Sequence, residues 1–151
     1  MSKSVQSSGP IPERIIEFIQ EHHLMALTVC SNEQPWCFHA FYAYSPVDAL
    51  FVILSEEKTK HVKMIRENPQ CIVSGGIALE TKSVGLIRGL QFTGKMNPCT
   101  GSVFDPFSML YLKKFPYAVF KSGDLWTVSL DHLKFTDNRL GFGTKLIWNR
   151  D

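Results

Sequence analysis

The sequence predicts a mainly β domain with flanking helices, arranged as an antiparallel meander or barrel. Three short apolar or aromatic runs, LMALTVCS, WCFHAFYAY and LFVIL, are separated only by the turn-like segments NEQP and SPVDA. Consecutive strands with such short connections pair as antiparallel hairpins. The later strand-like runs are CIVSGGI, KSVGLIRGLQFTGKM and LWTVSLDHLKFT. Because no repeat or long linker divides these runs, they are expected to build one body.

Three helical segments interrupt the strands. The first spans about residues 12–23, where apolar residues recur at helical spacing after Pro12, a residue suited to a first helical turn. The second lies within SEEKTKHVKMIRENP and ends at Asn68-Pro69. In the third, DPFSMLYLKKF, Asp105 is the expected N-cap and Pro106 the first helical residue. Elsewhere, the glycines in KSVGLIRGLQFTGKM, at positions 85, 89 and 94, indicate bends or a bulge.

Length and composition favour one globular domain at residues 12–151, preceded by a flexible lead-in at residues 1–11. Sixteen basic and fourteen acidic residues give a net charge of +2, which argues against a nucleic-acid-binding protein. No apolar stretch is long enough for a membrane span, and the first residues lack the apolar region of a signal peptide. A cytoplasmic location is therefore expected. Cys30 and Cys71 lie in apolar runs and are expected to act as small buried residues, since no C-x-x-C pair suggests a metal site.

The segment SEEKTKHVKMIRENP concentrates positive charge where a strand gives way to a helix. Lys58, Thr59, Lys60 and His61 are expected in the first helical turn. One interpretation is a solvated helix face, which Glu56 and Glu57 favour because acidic side chains suit a helix N-terminus. The other is a phosphate site, because hydroxyls at positions 55 and 59, ammonium groups and free helix amides are the donors that a phosphate monoester needs. The residues alone leave both interpretations open.

The pattern Ser-x-x-x-Thr-Lys-His, placed before a helix that ends in Asn-Pro, resembles the FMN-binding split β-barrel family, the relatives of pyridoxamine 5′-phosphate oxidase. More narrowly, LSEEKTKHVKM, VGLIRGLQFTGKM and LKFTDNRLGFGTKLIW resemble the YhbP-like group. The resemblance runs from about residue 12 to the C-terminus. It implies a six-stranded antiparallel split β-barrel with FMN as cofactor, and a homodimer that holds the cofactor at the subunit interface.

The resemblance also implies where FMN would bind. The positions that match the family's phosphate site are Ser55, Lys58, Thr59, Lys60 and His61, although the family commonly has Arg-Lys where this chain has Lys60-His61. The flavin ring would lie along the second strand, at Phe38, His39, Ala40 and Phe41. The residues that would reach a ring held by the neighbouring subunit are Gln91, Arg88, Trp148 and Arg150, with a structural role preferred for Trp148.

The implied activity is that of an FMN-dependent oxidoreductase with a small-molecule electron donor, such as a nicotinamide nucleotide, and a small-molecule acceptor. FMN itself would carry the redox chemistry. Oxidation of vitamin B6 is not expected, because the chain lacks the arginine- and histidine-bearing C-terminal segment that binds that substrate's phosphate. The alternative is a protein that binds flavin or haem without catalysis, with His39, His61 and His132 as candidate haem ligands.

Overall fold

The computed structural model describes residues 3–99, 102 and 104–151, whose strands all belong to one sheet. Within this described part, the strands are Ser4–Ser7 (β1), Leu24–Ser31 (β2), Gln34–Ser45 (β3), Leu50–Ser55 (β4), Ile72–Ala78 (β5), Arg88–Pro98 (β6), Asp124–Asp137 (β7) and Lys145–Asn149 (β8). The α-helices are Glu13–Glu21 (α1), Lys60–Glu67 (α2) and Pro106–Lys114 (α3). Short 3₁₀ helices occupy Val84–Leu86, Pro116–Phe120 and Asn138–Leu140.

Six strands close into a ring in the order β7, β4, β3, β2, β5, β6 and back to β7. Every neighbouring pair in the ring is antiparallel. The last two strands lie outside the ring: β8 pairs antiparallel with the second half of β7, and β1 pairs parallel with β8. The ring confirms the predicted mainly β, six-stranded antiparallel split barrel.

Local sequence explains the hairpin and the bend that shape the barrel. Asn32 and Glu33 join β2 to β3, and both have positive φ angles, 50° and 61°. A two-residue turn with two positive φ angles matches the right-handed twist of the flanking strands. On the other side of the ring, the β6–β7 register shifts between Thr93 and Gly94. This irregularity confirms the bulge or bend that the glycine pattern predicted in this run.

The barrel interior forms the main core. Trp126, Tyr42 and Phe51 are fully buried inside it. Helix α1 adds Phe18, whose ring centroid lies 5.0 Å from that of Phe135 on β7. A second, smaller core lies on the outer side of β3 and β4, where α3 and the following 3₁₀ helix pack against residues such as Val52. Burying one such side chain contributes about 1.5–3 kcal/mol, so these contacts fix α1 and α3 to the sheet.

Two short segments differ from their expected structure. Residues 4–7, expected within the flexible lead-in, form β1. Their sequence SVQS has no apolar periodicity, and the segment is held by backbone pairing and by the Trp148 indole, which donates to the Gly9 carbonyl at 2.7 Å. The stretch at 84–86, expected to be extended, is a 3₁₀ turn. Asn138 stabilises it, because its side-chain amide donates to the Val84 carbonyl at 2.7 Å.

Other expectations agree with the structure. The predicted helix at 12–23 is α1, Asn68 is the C-cap of α2, and the Asp105 side chain caps α3 ahead of Pro106. Cys71 is buried and Cys30 packs half-buried against the same core. Among the helices that the structure describes, none is long and apolar enough to cross a bilayer.

Lys114 joins the outer helix to the barrel. Its ammonium group donates to the carbonyls of His22 and Tyr42 at 3.0 and 2.9 Å. Burial lowers the pKa of Lys114. We expect Lys114→Met to lower the free energy of unfolding by about 1–3 kcal/mol, because two partly buried carbonyls lose their donor. Urea denaturation measures the change. The exposed neighbour Lys113→Met is the control, and an equal effect in both variants would contradict this role.

Candidate functional site

The divergence of β3 and β4 opens a cleft on the barrel wall. The two strands pair only from Tyr42–Ile53 to Ser45–Leu50, whereas residues 34–41 of β3 pair with β2 alone among the described strands. The remaining edge of β3 therefore runs beside the end of β4 and the start of α2. The cleft between them has a volume of about 410 Å³. Seven of the predicted site residues line it: Phe38, His39, Ala40, Ser55, Lys58, Thr59 and His61.

Helix α2 begins later than expected, at Lys60, with Thr59 as its N-cap residue. Lys58 therefore precedes the helix, and Glu56 and Glu57 lie outside its first turn, which contains no acidic residue. The Thr59 hydroxyl donates to the Glu56 carbonyl at 2.7 Å and makes no capping bond to a helix amide. Among the described residues, no side chain therefore accepts a hydrogen bond from the first amide groups of α2. Uncapped amides at a helix N-terminus favour the binding of anions.

His61 lies at the centre of the contacts in the cleft. Its Nε2 atom contacts the Ser55 hydroxyl and lies 3.2 Å from the Thr59 hydroxyl oxygen. Its ring stacks on Phe38, with centroids 3.6 Å apart and planes 3° from parallel. Burial of the imidazole lowers the pKa of His61. In the described structure the neutral form of His61 is therefore favoured near neutral pH.

Charged groups stand at the rim of the cleft. Lys58 forms an ion pair with Glu56 at 2.7 Å, and the Ser122 hydroxyl donates to the same carboxylate at 2.9 Å. The hydrogen bonds from Lys58 and then Ser122 lower the pKa of Glu56. The same ion pair raises the pKa of Lys58. Lys121 also lines the cleft. Two ammonium groups and one carboxylate at the rim leave an excess of positive charge for an anionic ligand.

Three predicted site residues lie outside the lining of this cleft. The Lys60 ammonium group sits over the Trp36 ring, 3.9 Å from its centroid. Phe41 is on the opposite face of β3 from Phe38 and packs edge-on against Phe115, with 51% of its surface exposed. Gln91 lies on β6 and lines a separate groove on the outside of the barrel. The structure therefore does not place Lys60, Phe41 and Gln91 beside the seven predicted site residues that line the cleft.

The remaining candidates make contacts within their own chain. Trp148 is buried and bonded to Gly9, and the Arg150 guanidinium donates to the carbonyls of Leu130 and Ala49 at 2.7 and 2.9 Å. Arg88 forms an ion pair with Glu21 at 3.2 Å. His132 is hydrogen-bonded to Asn149, away from the cleft. In the described residues, no group of three histidine, cysteine, aspartate or glutamate side chains is placed to bind a metal ion.

Sequence reasoning missed Lys121 and Ser122. They reach the cleft because the start of β7 pairs with the end of β4, which places Asp124 opposite Ser55. Gly123, with a φ angle of 131°, completes the turn, and a side chain there would approach the Ser55 carbonyl at 3.1 Å. The only local signal was a short Lys-Ser-Gly connection, which is typical of a loop.

Comparison with known proteins identifies close sequence relatives. No protein-family model matches the chain. It is 39% identical over 137 residues to the UPF0306 protein YhbP of Shigella sonnei, an alignment that covers 91% of this chain and 92% of the relative. It is 40% identical over 136 residues to the UPF0306 protein YhbP of Escherichia fergusonii, covering 90% and 91% of the two chains.

Solved structures share the fold at low sequence identity. A heme-binding protein from Mycobacterium smegmatis matches with a TM-score of 0.69 at 13% identity, covering 87% of this chain and 54% of the other. An FAD-binding protein from Mesorhizobium loti matches at 0.65 and 14%, covering 80% and 88%. HutZ, a heme storage protein from Vibrio cholerae, matches at 0.62 and 15%, covering 81% and 89%. These likenesses support the split-barrel fold.

Proposed function

The chain belongs to the UPF0306 YhbP family, and its fold resembles those of flavin- and haem-binding split barrels, so we propose that it binds FMN in the cleft between β3 and α2. We further propose that it acts as an FMN-dependent oxidoreductase on a small molecule. The observation that carries the proposal is the grouping of the Ser55 and Thr59 hydroxyls with Lys58 and Lys121 around the opening of α2.

The chemistry of the cleft fits a phosphate monoester. The Ser55 hydroxyl, the ammonium groups and the uncapped helix amides can all donate, and each charge-assisted hydrogen bond contributes about 1.5–3 kcal/mol before the costs of binding are subtracted. Three or four such bonds would supply about 5–10 kcal/mol gross, enough to secure one end of a ligand with a micromolar dissociation constant, which corresponds to about −8 kcal/mol. The volume of the cleft, about 410 Å³, also falls within the range of small-molecule sites.

A flat ring system would lie along the unpaired edge of β3. Residues 38–40 of β3 do not pair with β4, so their outward-facing backbone groups can form hydrogen bonds with the polar edge of the ring. An unpaired strand edge offers such groups to any partner. Lys58 and Lys121 would hold and orient the phosphate. FMN, when bound, would supply the electron-accepting chemistry.

β3, which borders the cleft, exposes Trp36 on one face and Phe41 on the other, with 41% and 51% of their surfaces accessible. We propose that a second copy of the chain packs against this strand, so that the bound cofactor lies at a homodimer interface. Exposed aromatic side chains of this kind are enriched at protein–protein interfaces.

The test is a fluorescence titration of the purified protein with FMN and, as the matched ligand, with riboflavin, which lacks the phosphate. We expect FMN to bind with a dissociation constant at or below about 10 µM. Riboflavin should bind at least about 100-fold more weakly, because it loses about 3 kcal/mol of phosphate contacts and each 1.4 kcal/mol corresponds to a factor of ten. Equal affinity for the two ligands would show that the cleft does not bind the phosphate. If the fluorescence of neither ligand were quenched by the protein, the proposal that the cleft binds a flavin would be wrong.

A haem-binding function is the second candidate, since two of the structural neighbours are named for haem binding and His39 and His61 line the same cleft. Addition of haemin to the same protein separates the two, because haem bound through histidine gives an intense Soret band and bound flavin gives its own visible bands. Anaerobic addition of a reduced nicotinamide nucleotide then distinguishes an oxidoreductase, whose bound flavin accepts the hydride and loses its visible absorbance, from a protein that only binds the cofactor.

A further inference from the structure

The imidazole of His61 lies among the hydroxyl groups that the proposed phosphate site needs. Its Nε2 atom contacts the Ser55 hydroxyl and lies 3.2 Å from that of Thr59, while Phe38 holds the ring in one plane. Ser55 is only 8% exposed, so solvent offers its hydroxyl few other partners. The state of Nε2 therefore determines where the hydrogen of the Ser55 hydroxyl points.

The hydrogens available in this group depend on the charge of His61. The Thr59 hydroxyl donates its hydrogen to the Glu56 carbonyl, which leaves its lone pairs for Nε2. An imidazolium carries hydrogens on both ring nitrogens and donates from Nε2. The Ser55 hydrogen is then free for an anion. A neutral ring protonated on Nδ1 instead accepts the Ser55 hydrogen and brings no positive charge. Protonation of His61 and contact with an anion therefore favour each other.

The other charged groups at the rim of the cleft leave an excess of one positive charge. The groups that face His61 or border it are Glu56 and Lys58 before α2, Lys60 at its start, Lys121 and Asp124 beside the end of β4, and His39 on β3. Glu56 is paired with Lys58, and the Lys60 ammonium group is turned onto Trp36. Lys121 lines the cleft, and Asp124 lies opposite Ser55 in the β4–β7 ladder. One proton on His61 therefore adds a second positive charge to the excess at the rim and strengthens the attraction for an anion.

We propose that His61 is a positioning residue that couples binding of the phosphate group to the uptake of one proton. As the imidazolium it turns the Ser55 hydroxyl toward the anion, and as the neutral imidazole it withdraws that hydroxyl. The inference rests on the phosphate site of the proposed function and adds its regulation by pH.

The direction of the effect follows from linkage. Burial lowers the pKa of His61 in the free protein, whereas a bound anion stabilises the imidazolium and raises it. Anion affinity therefore rises as the pH falls through the pKa of the bound state and levels off below that of the free state. A shift of one pKa unit changes the affinity about tenfold. We expect anions to bind several-fold more tightly near pH 5.5 than near pH 8, with the full factor reached only below the pKa of the free state.

Inorganic sulfate is the probe, because its charge stays constant over this range. The His61 ring resonances are followed by NMR through a pH titration of the wild-type protein, with saturating sulfate and with chloride at equal ionic strength. We expect the pKa of His61 to be at least about one unit higher in sulfate. In His61→Gln the affinity for sulfate should lose its pH dependence, while His39→Gln, which removes the other histidine of the cleft, should retain it.

An unchanged pKa of His61 in sulfate, no sulfate binding at either pH, or a pH dependence that survives in His61→Gln would overturn the inference. The wild-type titration decides the question even where a variant folds poorly. Failure of the proposed function gives a different result, namely no preference for FMN over riboflavin. If the protein strongly preferred FMN over riboflavin but the pKa of His61 did not change in sulfate, the proposed coupling would be wrong and the proposed FMN site would stand.

Discussion

Gly94→Ala is expected to lower the free energy of unfolding by about 3 kcal/mol. A Cβ atom at Gly94 would lie 2.0 Å from the backbone oxygen of Ser129 on β7. This atom belongs to the backbone of a paired strand, so it cannot move aside as a flexible side chain would. Relief of the clash requires the β6–β7 ladder to separate at this point, where the ring of strands closes.

The position of the clash explains its expected size. On β7 the ladder passes from Leu130 to His132, which leaves Asp131 as the extra residue of the bulge. The Arg150 backbone donates to the Asp131 carbonyl at 2.9 Å. Before the bulge β7 pairs with β4, and after it with β8. Gly94 therefore permits the bulge at which β7 changes its pairing partner from β4 to β8.

Gly89→Ala is the matched control, since it adds the same methyl group to the same strand. There the nearest atom is the Ile77 carbonyl oxygen at 3.5 Å, an ordinary contact. Because alanine restricts the unfolded chain more than glycine does, this variant should be neutral or more stable by up to about 1 kcal/mol. Urea denaturation of both variants measures the difference. Free energies of unfolding within about 0.5 kcal/mol of each other would contradict the steric account.

Most of the barrel is predictable because its signals are local. The runs around Leu27, Phe38 and Phe51 are apolar or aromatic, their connections are short, and a glycine marks the bulge at position 94. Residues 4–7 show the limit of such signals. Their pairing with β8 depends on backbone groups at a sheet edge that only the folded chain creates, so the sequence SVQS gives no sign of it.

The candidate site divides in the same way. Ser55, Thr59 and His61 come together because a strand end and a helix start are adjacent in sequence, and the family resemblance marked them. Lys121 comes close through the β4–β7 pairing, which no pattern around residue 121 encodes. Lys60 lies in the first turn of α2, as the sequence predicts, but its side chain does not line the cleft. Lys60 is the first helical residue, and its side chain points toward Trp36, whereas its neighbours Thr59 and His61 line the cleft.

The combined variant Lys58→Ala, Thr59→Val is expected to weaken FMN binding at least about thirtyfold, equivalent to a loss of about 2 kcal/mol. It removes one ammonium group and one hydroxyl from the cleft lining. Neither side chain belongs to the barrel core, and Thr59 makes no side-chain bond to a helix amide, so the fold should persist. Fluorescence titration measures the affinity, and urea denaturation confirms that the variant is folded.

Lys60→Ala, Lys63→Ala is the matched control for charge, because it removes two positive charges from the same helix and leaves the cleft lining intact. If contacts in the cleft determine affinity, this control should bind FMN within about threefold of wild type, a difference of roughly 0.7 kcal/mol. If the ligand responded only to the net charge of the helix, the control would lose more affinity than the cleft variant. That order of affinities would place the phosphate on the Trp36 side of α2 and contradict the proposed site.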